Sequence, residues 1–219
     1  MVQLNPCHAE NVANSYSMKN PLGMISCILA TLLPAACQSD SSMGADGKAA
    51  AAPKYTAESP LPAGWPEPGP YNEVTRKKYP AYRAAFTLDA SPNFGFWRLF
   101  KHIKQRDIPM SAPVEMKLDA TVATGMKMEQ MAFLYQSDKV GQTGVADGRV
   151  EVRDIPAQEA LSYAWQGTRD DDAIALARAA IDAELAKQKL TATGYRLLGY
   201  NSPFMPRAKQ THELQALVR

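Results

Sequence analysis

The chain has 219 residues, 46% of them hydrophobic, with 24 basic and 22 acidic residues and a formal charge of +2. That balance gives no basic excess for nucleic acid, and the length suits one domain with appendages. The three cysteines are Cys7, Cys27 and Cys37 and the three histidines are His8, His102 and His212. The chain beyond Cys37 therefore has no disulfide, thiolate ligand or thiol nucleophile, and too few histidines for a multi-histidine zinc site.

Met18-Lys19-Asn20, the apolar run Pro21 to Leu33 and the small residues Ala35-Ala36 read as a signal peptide. The run is shorter than the ~20 residues that span a bilayer. Met1 to Ser17 is polar and precedes this signal, so Met18 is expected to be the true start; a genuine extension is the alternative. Ala36 before Cys37 resembles a bacterial lipoprotein processing site, with Cys37 as the lipidated residue. An aliphatic residue is usual where Pro34 stands, and ordinary signal-peptidase cleavage stays open. Residues 38–70 are rich in Ser, Gly, Ala and Pro without an apolar period, which predicts a flexible tether. Residues 1–37 are thus extension plus leader, and residues 71–219 the folded domain.

That domain divides into two similar halves. Strand-forming residues surround Tyr79-Pro80-Ala81 and again Ile155-Pro156-Ala157. A helix follows each, and further strands follow each helix. The repeated order predicts an α+β fold of two pseudo-symmetric strand-helix-strand-strand halves: an antiparallel sheet with two helices packed on it. The first helix has Ser91 as N-cap, Pro92 in its first turn, and Lys101, His102, Lys104 and Arg106 toward its negative dipole end. Pro109 prevents continuation. From Gly125 to Tyr135, Met126, Met128 and Gln130 are expected to face one way. The second helix begins near Asp170-Asp171-Asp172, buries Ile174, Ala177, Ile181 and Leu185, carries Lys187 and Lys189 near its end, and has Gly194 just beyond. Tyr195 to Tyr200 and His212 to Val218 supply closing strands.

Phe96, Leu99, Phe100 and Ile103 share one face of the first helix, and Phe94 and Trp97 widen it. On the residues alone, such a stripe reads first as core. His102 reads first as a surface residue offsetting the helix dipole.

Two segments carry a further signal. Phe94-Gly95-Phe96-Trp97-Arg98-Leu99-Phe100-Lys101-His102-Ile103 runs into Ile108-Pro109-Met110-Ser111-Ala112-Pro113-Val114, and Gly199-Tyr200-Asn201-Ser202-Pro203-Phe204-Met205-Pro206 follows downstream. Together, in this order, they resemble the SOUL haem-binding family across Tyr71 to Val218. The resemblance implies a distorted antiparallel β-barrel flanked by two helices, and non-covalent binding of haem or another tetrapyrrole. It turns Phe96, Trp97 and Phe100 into one wall of a flat pocket, Lys101 into a partner for a propionate, and Tyr200, Phe204 and Met205 into the opposite wall. His102 is the candidate axial ligand on that helix; the surface reading competes with it. His212 lies in the last strand region and is the weaker choice. Some family members carry a histidine where Lys78 stands, so that ligand is not transferred. Gln105 stands where the family usually has Gly, and Gln210-Thr211-His212-Glu213 departs from its usual Arg-Asn-Glu segment.

The function implied is tetrapyrrole binding for sequestration, buffering or transport, in the periplasm and lipid-anchored, with no other membrane or nucleic-acid contact. The alternative is an envelope module of the same fold that binds another apolar ligand or a protein partner. A hydrolytic enzyme ranks below both, since no Gly-x-Ser-x-Gly, His-Glu-x-x-His, P-loop or Gly-x-Gly-x-x-Gly occurs.

Overall fold

The computed structural model describes residues 52–89, 92–119 and 127–219. The leader, Cys37, Ser91 and Met126 lie outside them. The described residues fall in the unit Ala49–Arg219.

Two short proline corners organise the sheet. β1 (Val74–Tyr79) and β2 (Tyr82–Thr87) are joined by Pro80-Ala81; β6 (Val150–Ile155) and β7 (Gln158–Gln166) by Pro156-Ala157. Proline cannot donate to a ladder, so both chains break at the same place. β1 pairs with β7 and β2 with β6, all antiparallel, with Tyr79 opposite Gln158 and Tyr82 opposite Ile155. The two chains cross the corner in step, as one bent ribbon.

The remaining elements are α1 (Pro92–Gln105), β3 (Val114–Leu118), β4 (Met128–Leu134), β5 (Gly144–Ala146), α2 (Asp171–Gln188), β8 (Ala192–Gly199) and β9 (Thr211–Val218). They complete a nine-stranded, mostly antiparallel sheet in the order β1-β7-β9-β8-β3-β4-β2-β6-β5. Setting β5 aside, the order reads alike from both ends, with β1 matching β6, β7 matching β2, β9 matching β4 and β8 matching β3. The expected duplication is present, but each half opens with two strands rather than one. The expected barrel is not closed: β1 and β5 are the two ends of the order and do not pair.

Alternation sorts each strand between two faces. On one face, α1 packs on β2, β4 and β6, and α2 on β1, β7 and β9. Leu99, Ile103, Phe133, Tyr163, Ile181, Leu197 and Leu214 belong to this core. Gly95 sits where α1 meets the sheet; a Cβ there would come within 3.3 Å of Thr87 Cγ2. Asp170 caps α2 by accepting the Ala173 N–H at 2.9 Å. Lys189, with φ of 53°, ends the helix, a turn for which Gly194 is not needed: that glycine lies in β8. A bulge between Lys117 and Leu118, opposite residues 128–130, shifts the phase of β4. Met131 and Met128 therefore join the core face, while Gln130 bonds the Thr87 carbonyl and Arg153.

The inner face buries a polar network within a second apolar cluster that includes Phe86, Leu134 and Leu198. Arg196 is 2% exposed and donates to Gln215 Oε1 at 2.7 Å and to Glu115 Oε2 and Tyr82 Oη, both at 3.0 Å. Glu213 accepts Tyr200 Oη–H at 2.6 Å, Lys77 Nζ at 2.6 Å and Ser162 Oγ–H. Residues 52–70 close this face. Trp65, 5% exposed, packs on Tyr79 and Tyr82 with ring centroids at 4.7 and 5.2 Å. Tyr55 and Leu61 pack against the same cluster. Ala112 N–H donates to Pro60 O at 3.0 Å, Ala63 N–H to Gln136 O at 2.9 Å, and Ser202 N–H to Glu58 at 2.8 Å. The expectation of a flexible tether through residue 70 fails for residues 52–70, because their aromatic residues are held in the core.

Truncating Trp65 tests this strap. Trp65→Ala should lower unfolding free energy by ~3–5 kcal/mol in a denaturant titration, as large core truncations do. A change under ~0.5 kcal/mol would be that of a loose surface residue.

Candidate functional site

Each helix packs mainly over one side of the sheet, and α2 reaches the central strand β8 at Tyr195, whose hydroxyl donates to Asp182 at 2.8 Å. Where Val114 pairs with Gly199 at the middle of the sheet, a cleft of about 600 Å³ opens. Small-molecule sites span roughly 300–1,000 Å³. The first half contributes apolar walls: Phe96, Val114, Met116 and Met131. The second contributes polar groups, among them Arg169, Arg207 and His212. Gly199 leaves its floor open; a Cβ there would point to Met116 Cε at 3.8 Å and Arg169 Nη1 at 3.9 Å.

His212 is 5% exposed and neither ring nitrogen makes a hydrogen bond of full geometry. Burial, then the positive charge of Arg169, pushes its pKa down to about 4, against a smaller upward pull from the Gly167 backbone. The imidazole is therefore neutral at physiological pH, with one nitrogen carrying a free lone pair. Its other side lies against Trp165, ring centroids 5.5 Å apart. Arg169 Nη1 lies 3.0 Å from Met116 Sδ, a weak acceptor, and no carboxylate pairs with Arg169 among the described residues. Packing around the guanidinium lowers its pKa, while the residue as a whole stays exposed at the edge of the cleft. The cleft thus offers a flat apolar wall, a positive charge at its edge without a carboxylate partner among the described residues, and a buried imidazole.

The sequence-derived residues are distributed unevenly around it. Phe96 lines the cleft. Phe100 stacks parallel to Phe96 at 6.1 Å and packs on the core behind the wall. Trp97 is 63% exposed and packs edge-on to both rings. Lys101 lines a separate hollow with Arg98, Gln105 and Arg149. Tyr200 points inward to Glu213, and its hydroxyl is a satisfied donor in the core. In the Ser202–Pro206 loop, Pro203 lines the cleft, whereas Phe204 is 93% exposed and Met205 lies outside the lining. The two matched segments do meet, through Phe96 on one side and Gly199, Asn201 and Pro203 on the other.

His102 is neither an available ligand nor a surface residue. It is 1% exposed, with Nε2 bonded to Tyr135 Oη at 2.8 Å and Nδ1 to Asp147 at 3.2 Å. Arg106 grips the same carboxylate at 2.9 and 3.1 Å. The Arg106 and His102 hydrogen bonds hold the Asp147 pKa down, and burial lowers that of His102. Both nitrogens are committed, so this histidine serves structure.

Among the described residues no group of three or more His, Cys, Asp and Glu is placed to hold a bare metal ion. A tetrapyrrole brings four ligands of its own and asks the protein for one or two.

A family model described as SOUL heme-binding protein matches residues 54–216. No curated protein matches the chain in sequence. Among solved structures, the chain is similar to EcmrR in its DNA complex (TM-score 0.52, 14% identity, 67% of this chain and 57% of that one). It is similar to the EcmrR C-terminal domain (0.51, 14%, 67% and 97%) and to an uncharacterized conserved protein from Listeria innocua (0.51, 12%, 68% and 94%). The chain spans little more than half of the first of these. At such identities the likeness is one of fold.

His212 makes stability depend on pH. Its folded pKa of about 4 lies below the ~6.5 of an unfolded histidine, so between these values the unfolded chain binds more protons. The contribution, at most ~3 kcal/mol, is complete above pH ~6.5 and is lost as pH falls toward 4. Unfolding free energy should decline over that window in denaturant titrations, and His212→Gln should flatten the slope. An unchanged slope would assign the proton uptake to other groups.

Proposed function

The chain belongs to the SOUL heme-binding family, and on that premise we propose that it binds haem or another tetrapyrrole non-covalently in the cleft between its two halves. The observation that carries this is Arg169, a cation with no carboxylate partner among the described residues, at the mouth of a cleft with an apolar wall. A tetrapyrrole supplies a flat apolar ring, propionate carboxylates and a metal. Phe96, Val114 and Met131 line one side of the space for the ring. Arg169, with Arg207 further out, offers charge-assisted hydrogen bonds to a carboxylate.

Magnitudes favour these polar contacts as the deciding ones. Burying ~400 Å² of apolar surface is worth ~10 kcal/mol gross. Association costs ~4–15 kcal/mol. The apolar wall alone therefore leaves little net affinity, and the ligand must also gain from charge or coordination.

The protein is a binder rather than an enzyme, acting in sequestration, buffering or transport. Its leader-like segment supports export to the bacterial envelope, with attachment through a lipid on Cys37. Palmitate-analogue labelling in cells should depend on Cys37; incorporation into Cys37→Ala would overturn the anchor.

Titration of the purified protein with hemin should give a saturable Soret change. Arg169→Leu should weaken binding by ~10-fold or more, the value of one charge-assisted hydrogen bond. Gly199→Leu should do the same by filling the cleft floor. Lys101→Ala, in its separate hollow, should stay within ~2-fold, a difference under ~0.5 kcal/mol. Parent-like binding by both cleft variants would move the site elsewhere. No saturation in the parent would favour the alternative, another apolar ligand or a protein partner.

A further inference from the structure

Buried polar atoms are nearly always paired, because leaving one without a partner costs ~1–3 kcal/mol. At His212 neither Nδ1 nor Nε2 makes a hydrogen bond of full geometry, and the Gly167 backbone is the polar group that acts on the ring. His102, the other histidine among the described residues, has both nitrogens bonded. The exception lies on the wall of the cleft rather than in sealed core. It is also fixed in place. It sits in β9 opposite Gly199 of β8 and Trp165 of β7, and Trp165 packs on its far side. With glycine as one cross-strand neighbour, no side chain from Gly199 stands between the imidazole and the cleft floor.

A neutral imidazole with an unused lone pair, held rigidly at an apolar cleft, has the chemistry of a haem-iron ligand. We propose that His212 is the axial ligand to the iron of a haem bound in this cleft, an assignment that rests on the tetrapyrrole reading above. Coordination needs no proton release, since the ring is already neutral at physiological pH. The neighbouring thioethers are otherwise engaged. Met116 Sδ lies against Arg169 Nη1 at 3.0 Å, and Met131 Sδ lies beneath α1, 3.9 Å from where a Gly95 Cβ would be. His212 would then be the residue that supplies a nitrogen to the iron.

The test compares hemin with metal-free protoporphyrin IX on the full chain and on His212→Gly. The metal-free ring has the same wall and carboxylates but no iron. The parent should bind both, and its ferrous haem complex should give an iron–histidine stretching band in resonance Raman spectra. His212→Gly should hold protoporphyrin IX within ~2-fold. It should lose the band, and hemin affinity should fall by at least ~10-fold, the least that even an outer-shell partner of a metal site is worth. Free imidazole should restore the band in the glycine variant. If His212→Gly melts early by circular dichroism, His212→Gln serves for the same comparison.

A band that survives in the variant overturns the assignment. A parent that binds both porphyrins equally and shows no band overturns it too, while leaving the tetrapyrrole reading intact. A parent that binds neither porphyrin overturns the tetrapyrrole reading, and the ligand assignment falls with it.

Discussion

The bent ribbon sets the shape from which the rest follows. β1 and β2 stand six strand positions apart in the sheet, as do β6 and β7. In a flat sheet that separation would be ~29 Å. Each pair is joined by two residues, which allow at most ~11 Å between the strand ends. The sheet must therefore curl until its distant strands meet at the two proline corners. Curling gives it an outer face, taken by the helices, and a narrow inner face that no helix can enter. Because each helix packs mainly over one side, the outer face keeps a seam where Val114 of β3 pairs with Gly199 of β8, and the cleft lies in that seam.

The inner face is occupied by charge rather than by ligand. Arg196, Glu115 and Glu213 are buried there with Tyr79, Tyr82, Tyr200 and Gln215 around them. The guanidinium has three acceptors in Gln215, Glu115 and Tyr82 and lies 4.9 Å from the Tyr79 ring centroid and 5.4 Å from that of Trp65. Breaking a buried pair of this kind is costly because the surviving charge has no water to turn to. Trp65 seals the network from outside, so the strap is part of the electrostatics as well as of the packing. The contrast with Arg169 is instructive. The buried arginine has its carboxylate within the fold; the exposed one, at the seam, has none among the described residues.

Local patterns were legible in the sequence, and cross-strand ones were not. The stripe Ala177, Ile181, Leu185 and the buried pair Leu99 and Ile103 follow helical spacing and are buried as that spacing requires. The two proline corners were visible as repeated motifs, although one strand on each side of a corner was merged into its neighbour. Residues 52–70 have the composition of a linker, and Tyr55 and Trp65 were the signal that they pack. Arg196 and Gln215 alternate with apolar residues, a pattern that usually marks a solvent face; here the second face is also buried. His102 was read as a surface residue because its partners, Tyr135 and Asp147, come from distant strands and loops. His212 reads in the sequence only as the weaker of two candidate ligands, since its distinguishing property, burial beside the cleft, is revealed only by the assembled sheet. Within the downstream motif, Gly199 and Pro203 reach the cleft, whereas the more conspicuous Phe204 and Met205 do not line it.

The exchange of first strands between halves has a consequence for how the molecule can come apart. β1 belongs to the first half yet is paired only within the second, and β6 of the second half pairs with β2 of the first, with only the three-residue β5 on its other edge. Neither half is thus a self-sufficient piece: cut between β4 and β5, each fragment would carry an arm with an open edge shaped for the other. Such a fragment could satisfy its arm by embracing a second copy of itself, giving a symmetric dimer whose seam would be lined twice by the same residues.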